Sequence, residues 1–156
     1  MIIRNATQYH ISTALKEAVS VYPVDGLIVE LKYCPKGSRR YISGTYYRRA
    51  NGLEDGKLIR IRINRHNKYP VSVHFKTSSY YKKRNARGEE MTYQKLRKVE
   101  FRAPEDLVLA IFLHEFSHYL DHVQGLNGRY KQTKADKFAI SILERHGIIE
   151  PGEPIA

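Results

Sequence analysis

The segment from Pro104 to Gly125 constrains the fold more than any other stretch of the chain. Leu109, Phe112, Leu113, Phe116, Leu120 and Val123 form an apolar stripe at helical spacing, and Leu107 and Ile111 add a second apolar side. A helix that is apolar on more than one side must be covered on more than one side, so the remainder of the chain has to be built around it. Its ends are well marked. Pro104 suits the first helical turn, Glu105 and Asp106 complement the positive end of the helix dipole, and Gly125 suits the stop.

Inside this apolar helix lies His114-Glu115-Phe116-Ser117-His118. Residues four apart stand one turn apart on one face, so His114 and His118 can hold a single Zn²⁺ with Glu115 beside it as a general base. Two imidazoles and a carboxylate are costly in an apolar helix unless something satisfies them, and a metal would satisfy all three. With three protein ligands, a zinc site keeps one position for water and lowers its pKa to about 7. The expected chemistry is amide or peptide hydrolysis, with Glu115 taking the water proton and passing it to the leaving amine. His122 continues the row, but it lies about 12 Å along the axis from His114 at 1.5 Å per residue. A supporting contact, or a charge at the helix C-terminus, suits His122 better than a share in the same metal.

The expected architecture is α+β. Gln8 to Val19 carries Ile11, Leu15, Ala18 and Val19 at helical spacing, with Thr7 as a cap. From Gly26 the period changes to two, with Leu27, Val29, Leu31 and Tyr33 on one face. Tyr41 to Arg48, Lys57 to Arg65 and Val71 to Phe75 read as further strands, with turns at Asn51-Gly52 and Asp55-Gly56. The resulting expectation is an N-terminal helix, a small, mostly antiparallel sheet with one solvated face, the HExxH helix, and a C-terminal packing helix from Tyr130 to His146 after a turn at Asn127-Gly128. Residues 1–147 would form one domain, 77–103 a basic insertion with the character of a hairpin, and 148–156 a loose tail.

Charge suggests a partner. The 156 residues carry 27 Lys and Arg against 16 Asp and Glu, a formal net charge of +11, and such a field attracts polyanions. Lys82, Lys83, Arg84 and Arg87, interleaved with Tyr80, Tyr81 and Tyr93, combine cations for phosphates with rings able to stack on bases. The single cysteine, Cys34, excludes an internal disulfide and a Cys-rich zinc ribbon, and it reads as a packing residue. No apolar run is long enough to span a bilayer, and Met1-Ile2-Ile3-Arg4-Asn5 does not have the form of a secretory signal. An intracellular, cytoplasmic setting with no membrane partner is expected.

HExxH on one helix followed by Ala135-Asp136-Lys137-Phe138-Ala139 on the next resembles the gluzincin-type zinc peptidases, especially the compact ImmA/IrrE-like family. The resemblance implies a zincin-like fold, a Glu on the second helix as third ligand, and an acid or amide four residues later that supports a zinc-binding His. Here Gln132 stands where that Glu would be, and Lys134 stands where many relatives carry another acid. The third ligand is then Asp136, Gln132 or His122, with Asp136 favoured because an anionic oxygen binds Zn²⁺ better than a neutral amide. A rival role for Asp136 is a helix-start capping box, Thr133-x-x-Asp136. The order of elements is also similar to SprT-like peptidases, which act near DNA, although the ribbon common in those is absent.

The expected function is therefore a zinc metallopeptidase acting on a peptide or protein substrate, with a nucleic-acid-associated protein as one substrate class. The substrate would pair with an edge strand, either Leu58 to Asn64 or Val71 to Phe75. The alternative is a basic nucleic-acid-binding module whose zinc site is structural or inactive.

Overall fold

A computed structural model describes residues 1–48, 57–126 and 131–152. The turn pairs Asn51-Gly52, Asp55-Gly56 and Asn127-Gly128 lie outside the described residues. The elements are β1 (Ile2–Asn5), α1 (Ser12–Ala18), β2 (Ile28–Tyr33), β3 (Ile42–Tyr47), β4 (Leu58–Ile63), β5 (Val71–Arg84), β6 (Glu90–Phe101), α2 (Pro104–Val123) and α3 (Gln132–Arg145). The architecture is α+β with mixed pairing.

A four-stranded sheet runs in the order β1-β2-β4-β3. Its pairing departs from the expected antiparallel arrangement. β1 and β2 are parallel, β2 and β4 are parallel, and only β3 and β4 are antiparallel. Helix α1 is the cause on one side, because a helical crossover returns the chain to start a neighbouring strand in the same direction. On the other side, β3 and β4 are antiparallel neighbours with β4 placed inward beside β2. Strand β1 was not anticipated, since four residues are too few to show a period.

The inner face of the sheet presents Val29, Leu31, Ile59, Ile61 and Ile63, all fully buried. The outer face alternates to Glu30 and Arg60, cross-strand partners joined by a 2.9 Å ion pair, so the expected solvated face is present. Helix α2 packs on the inner face, with Leu107, Val108, Ala110, Phe112, Leu113 and Phe116 at zero exposure. Helix α3 covers α2 from beside the sheet through Ala135, Ala139, Ile142 and Leu143 and also packs on β5. Thr7 bonds Asn5 rather than capping α1, which begins only at Ser12.

The expected insertion is not a separate appendage. Strands β5 and β6, of 14 and 12 residues, form one continuous ribbon that begins in the core at Val71↔Phe101 and ends in the exposed pair Arg84↔Glu90. A register shift between Lys76 and Tyr80 divides the packed base from the free end. The tail is held as far as Gly152, with Ile149 buried and Arg97 donating to the carbonyl of Glu150. Among the described residues no helix is long and apolar enough to cross a membrane.

Candidate metal centre

Helix α2 turns two different sets of side chains in two directions. Phe112, Phe116 and Leu120 point into the core, while His114 and His118 lie on the half-buried face that meets the start of α3. Their ring centroids are 5.1 Å apart and their Nε2 atoms 3.3 Å apart. The amide oxygen of Gln132, the first residue of α3, lies 3.3 Å from His118 Nε2. Both separations match the edge of a tetrahedron with zinc–nitrogen bonds of 2.0–2.1 Å, which is about 3.3 Å.

The tautomer of His114 supports this convergence. Asp136 Oδ1 lies 2.6 Å from His114 Nδ1, and a carboxylate can only accept, so Nδ1 carries the proton and, in the neutral ring, Nε2 holds the lone pair. The other oxygen, Oδ2, accepts the backbone N–H of Lys76 at 2.7 Å. Asp136, favoured from sequence as a metal ligand, thus has both oxygens occupied, one on the far side of the imidazole and one on β5. This is the position of a carboxylate that orients a ligand histidine. The capping-box reading does not hold. Helix α3 has Lys131 at its N-cap with no side-chain cap bond, and the Thr133 hydroxyl accepts from Gln94 instead.

Burial alone would lower the His114 pKa. The Asp136 hydrogen bond and the charges of Glu115 and Asp136 outweigh it, with a net rise above the usual imidazole range. Glu115 is buried, and burial raises its carboxyl above the ordinary value against the opposing pull of His114, His118 and the Tyr46 backbone N–H. His114, Glu115, Gln132 and Asp136, with Gly44 and Lys76, line a cleft of about 490 Å³ between β3 and the base of the β5–β6 ribbon.

No family model, curated protein or solved structure matches the chain. The site must therefore be judged on its own donors. Among the described residues no three His, Cys, Asp or Glu side chains converge on one point, and the third converging atom is an amide oxygen. Two imidazole nitrogens 3.3 Å apart, with an amide oxygen 3.3 Å from one of them and a buried carboxylate alongside, are donor types that suit Zn²⁺.

His122 is engaged elsewhere. Tyr46 Oη and His122 Nδ1 are hydrogen-bonded at 2.6 Å, burial pushes the Tyr46 hydroxyl up to about 12, and burial together with Arg48 and Lys57 lowers the His122 pKa. Of the two roles expected for His122, a contact to a neighbouring side chain is present, and the lowered pKa works against a charge at the helix end. Lys134 has a structural reason: its Nζ lies 2.6 Å from the buried Asp121 Oδ1, joining the last turn of α2 to the first turn of α3. An acid at 134 would face Asp121 with like charge.

Two participants were not singled out from sequence. Nothing distinguished Tyr46 among twelve tyrosines. Gly44 did carry a signal, because a glycine inside a strand often marks a close backbone approach. A Cβ at Gly44 would lie 2.6 Å from Ile111 Cγ2 and 3.0 Å from Glu115 Cγ. Gly44→Ala is therefore expected to push β3 off α2, costing about 1–3 kcal/mol. Urea denaturation reads the loss, and a change below about 0.5 kcal/mol would show that the strand yields freely.

Of the two strands expected to take substrate, β4 lies between β2 and β3 and has neither edge open. β5 lines the cleft through His74 and Lys76. The four-stranded sheet presents β3 at its edge there, with Ile42, Ser43 and Gly44 along the cleft.

Proposed function

We propose that this chain is a zinc-dependent metallopeptidase of the zincin type, similar to compact gluzincins, with His114, His118 and Gln132 as metal ligands. The observation that carries the reading is the approach of His118 Nε2 to both His114 Nε2 and Gln132 Oε1, each at 3.3 Å, beside a buried glutamate. Asp136 fixes the His114 ring so that its lone pair faces the site. When bound, zinc supplies a Lewis acid that polarises a carbonyl and makes a water acidic at neutral pH.

The protein groups divide the remaining work. Glu115, buried at the cleft wall, accepts the proton of the attacking water and returns it to the leaving amine. An extended peptide can add to the open edge of β3, whose backbone runs past Glu115 at Gly44. A neutral Gln in place of an anionic ligand leaves the metal with its full charge, and it weakens binding relative to a carboxylate.

Metal analysis tests this directly. The purified protein should hold one zinc per chain, and His118→Ala should hold none. Gln132→Glu should tighten zinc at least tenfold, equal to about 1.4 kcal/mol. Competition with a chromogenic chelator measures the difference. Absence of zinc from the wild type, or an unchanged affinity in Gln132→Glu, would sink the ligand assignment.

A further inference from the structure

Beyond the register shift at Lys76/Tyr80, the β5–β6 ribbon leaves the body of the protein. Every residue from Tyr80 to Arg84, and from Glu89 to Tyr93, is exposed. Exposed strands of this length, carrying Tyr80, Tyr81, Met91 and Tyr93 at 38–60% exposure, need a reason, because nothing beneath them is being covered. Between Tyr80 and Lys95 there are five cations against two carboxylates.

The register sorts these side chains onto two faces. Tyr81 and Tyr93 are direct partners, stacked with centroids 5.5 Å apart, and Lys83 shares their face through its pairing with Met91. Tyr80, Lys82 and Arg84 lie on the opposite face. Cations therefore stand on both sides of the ribbon, and Arg87 sits in the turn at its tip. The one ion pair here, Lys82 to Glu90 at 3.3 Å, joins two largely exposed groups and holds the lysine weakly.

We propose that this free end is a binding arm for duplex DNA, inserted as a two-stranded ribbon into the major groove. A single-strand platform would present one aromatic face within a cationic groove, whereas this arm is exposed on both strands and carries cations on both faces, as a ribbon between two phosphate walls must. Size agrees. Tyr80 to Arg84 spans roughly 14 Å of strand, more than the ≈ 8.5 Å depth of the B-form groove, so the tip can reach the floor while the base stays on the body. The deep, narrow major groove of A-form RNA would exclude it. Because the base of the same ribbon lines the catalytic cleft, a protein bound near the occupied DNA would be presented to that cleft. The arm goes beyond the peptidase reading and stands without it.

The test is fluorescence anisotropy of the full chain with a labelled 20-base-pair DNA duplex, its single strand and the matching RNA duplex, between 50 and 200 mM salt. Four phosphate contacts would weaken binding to the DNA duplex roughly 100-fold over that range. A variant with Lys82, Lys83, Arg84 and Arg87 all changed to Gln should flatten the slope of log affinity against log salt by about 3–4. A control with Lys16, Lys36, Arg39 and Arg40 changed to Gln removes the same charge elsewhere and should keep the slope within about one. Equal losses in the two variants would reduce the effect to net charge and overturn the proposal. Tighter binding of single strand or RNA than of DNA duplex would overturn the groove assignment. Glu115→Gln should bind duplex as the wild type does, so failure of the peptidase reading and failure of the arm give different results.

Discussion

Glu115→Gln is expected to lower peptide hydrolysis by about 10²- to 10⁴-fold while leaving zinc content and thermal stability unchanged. The substitution keeps the shape of a buried side chain at the cleft wall and removes only its capacity to take a proton. His114, His118, Gln132 and Asp136 do not depend on that carboxylate for their hydrogen bonds to one another, so the donor set should survive. Turnover of a fluorogenic peptide library, measured beside metal content, gives the answer. Full activity in a zinc-loaded Glu115→Gln protein would remove the enzyme reading.

One residue further along the same helix, the expected effect is entirely on stability. Phe116 has zero exposure and packs against Tyr22, Phe112, Tyr119 and Phe138, with ring centroids 5.8, 5.5, 5.2 and 6.3 Å away. Phe116→Ala removes the side chain that joins the region before β2, the motif helix and α3, at a cost of about 3–5 kcal/mol. Against a total stability of about 5–15 kcal/mol this is a large fraction, and for a chain of this size it corresponds to a fall in Tm of roughly 6–20 °C. Thermal and urea unfolding measure it. A loss below about 1 kcal/mol would mean that the aromatic cluster is not the centre of the core. Adjacent residues have such different consequences because successive side chains point about 100° apart around a helix, one into the cleft and the next into the core.

Sequence and structure agree where interactions are local and part where they are distant. Helices α2 and α3 were legible because their apolar residues recur at helical spacing and their neighbours stop them, at Pro104 before one and at Gly147 after the other. Strands β2 to β5 were legible from alternation and β-rich composition. Their partners were not, because alternation gives a buried face but no direction. The parallel pairing of β1 with β2 depends on how α1 packs, and the place of β4 between β2 and β3 depends on which faces α2 covers. From sequence the ribbon reads as a short strand followed by an insertion, since exposed Lys, Arg and Tyr residues carry no apolar period across the boundary at Lys76.

By itself, the sequence determined a central apolar helix with two histidines and a glutamate on defined faces, a packing helix after it, and a strongly basic segment between sheet and helix. These follow from residue type and from periods of 3.6 and 2, which the backbone enforces locally. Only the tertiary structure decided where Asp136 and Gln132 stand relative to the two histidines. Both sit one turn apart near the start of α3, and the crossing of α3 over α2 places Gln132 on the Nε2 side of the histidines and Asp136 on the Nδ1 side of His114. That outcome depends on the angle and depth at which two helices pack, set by Ala135, Ala139 and their neighbours, and no spacing along one chain segment contains it.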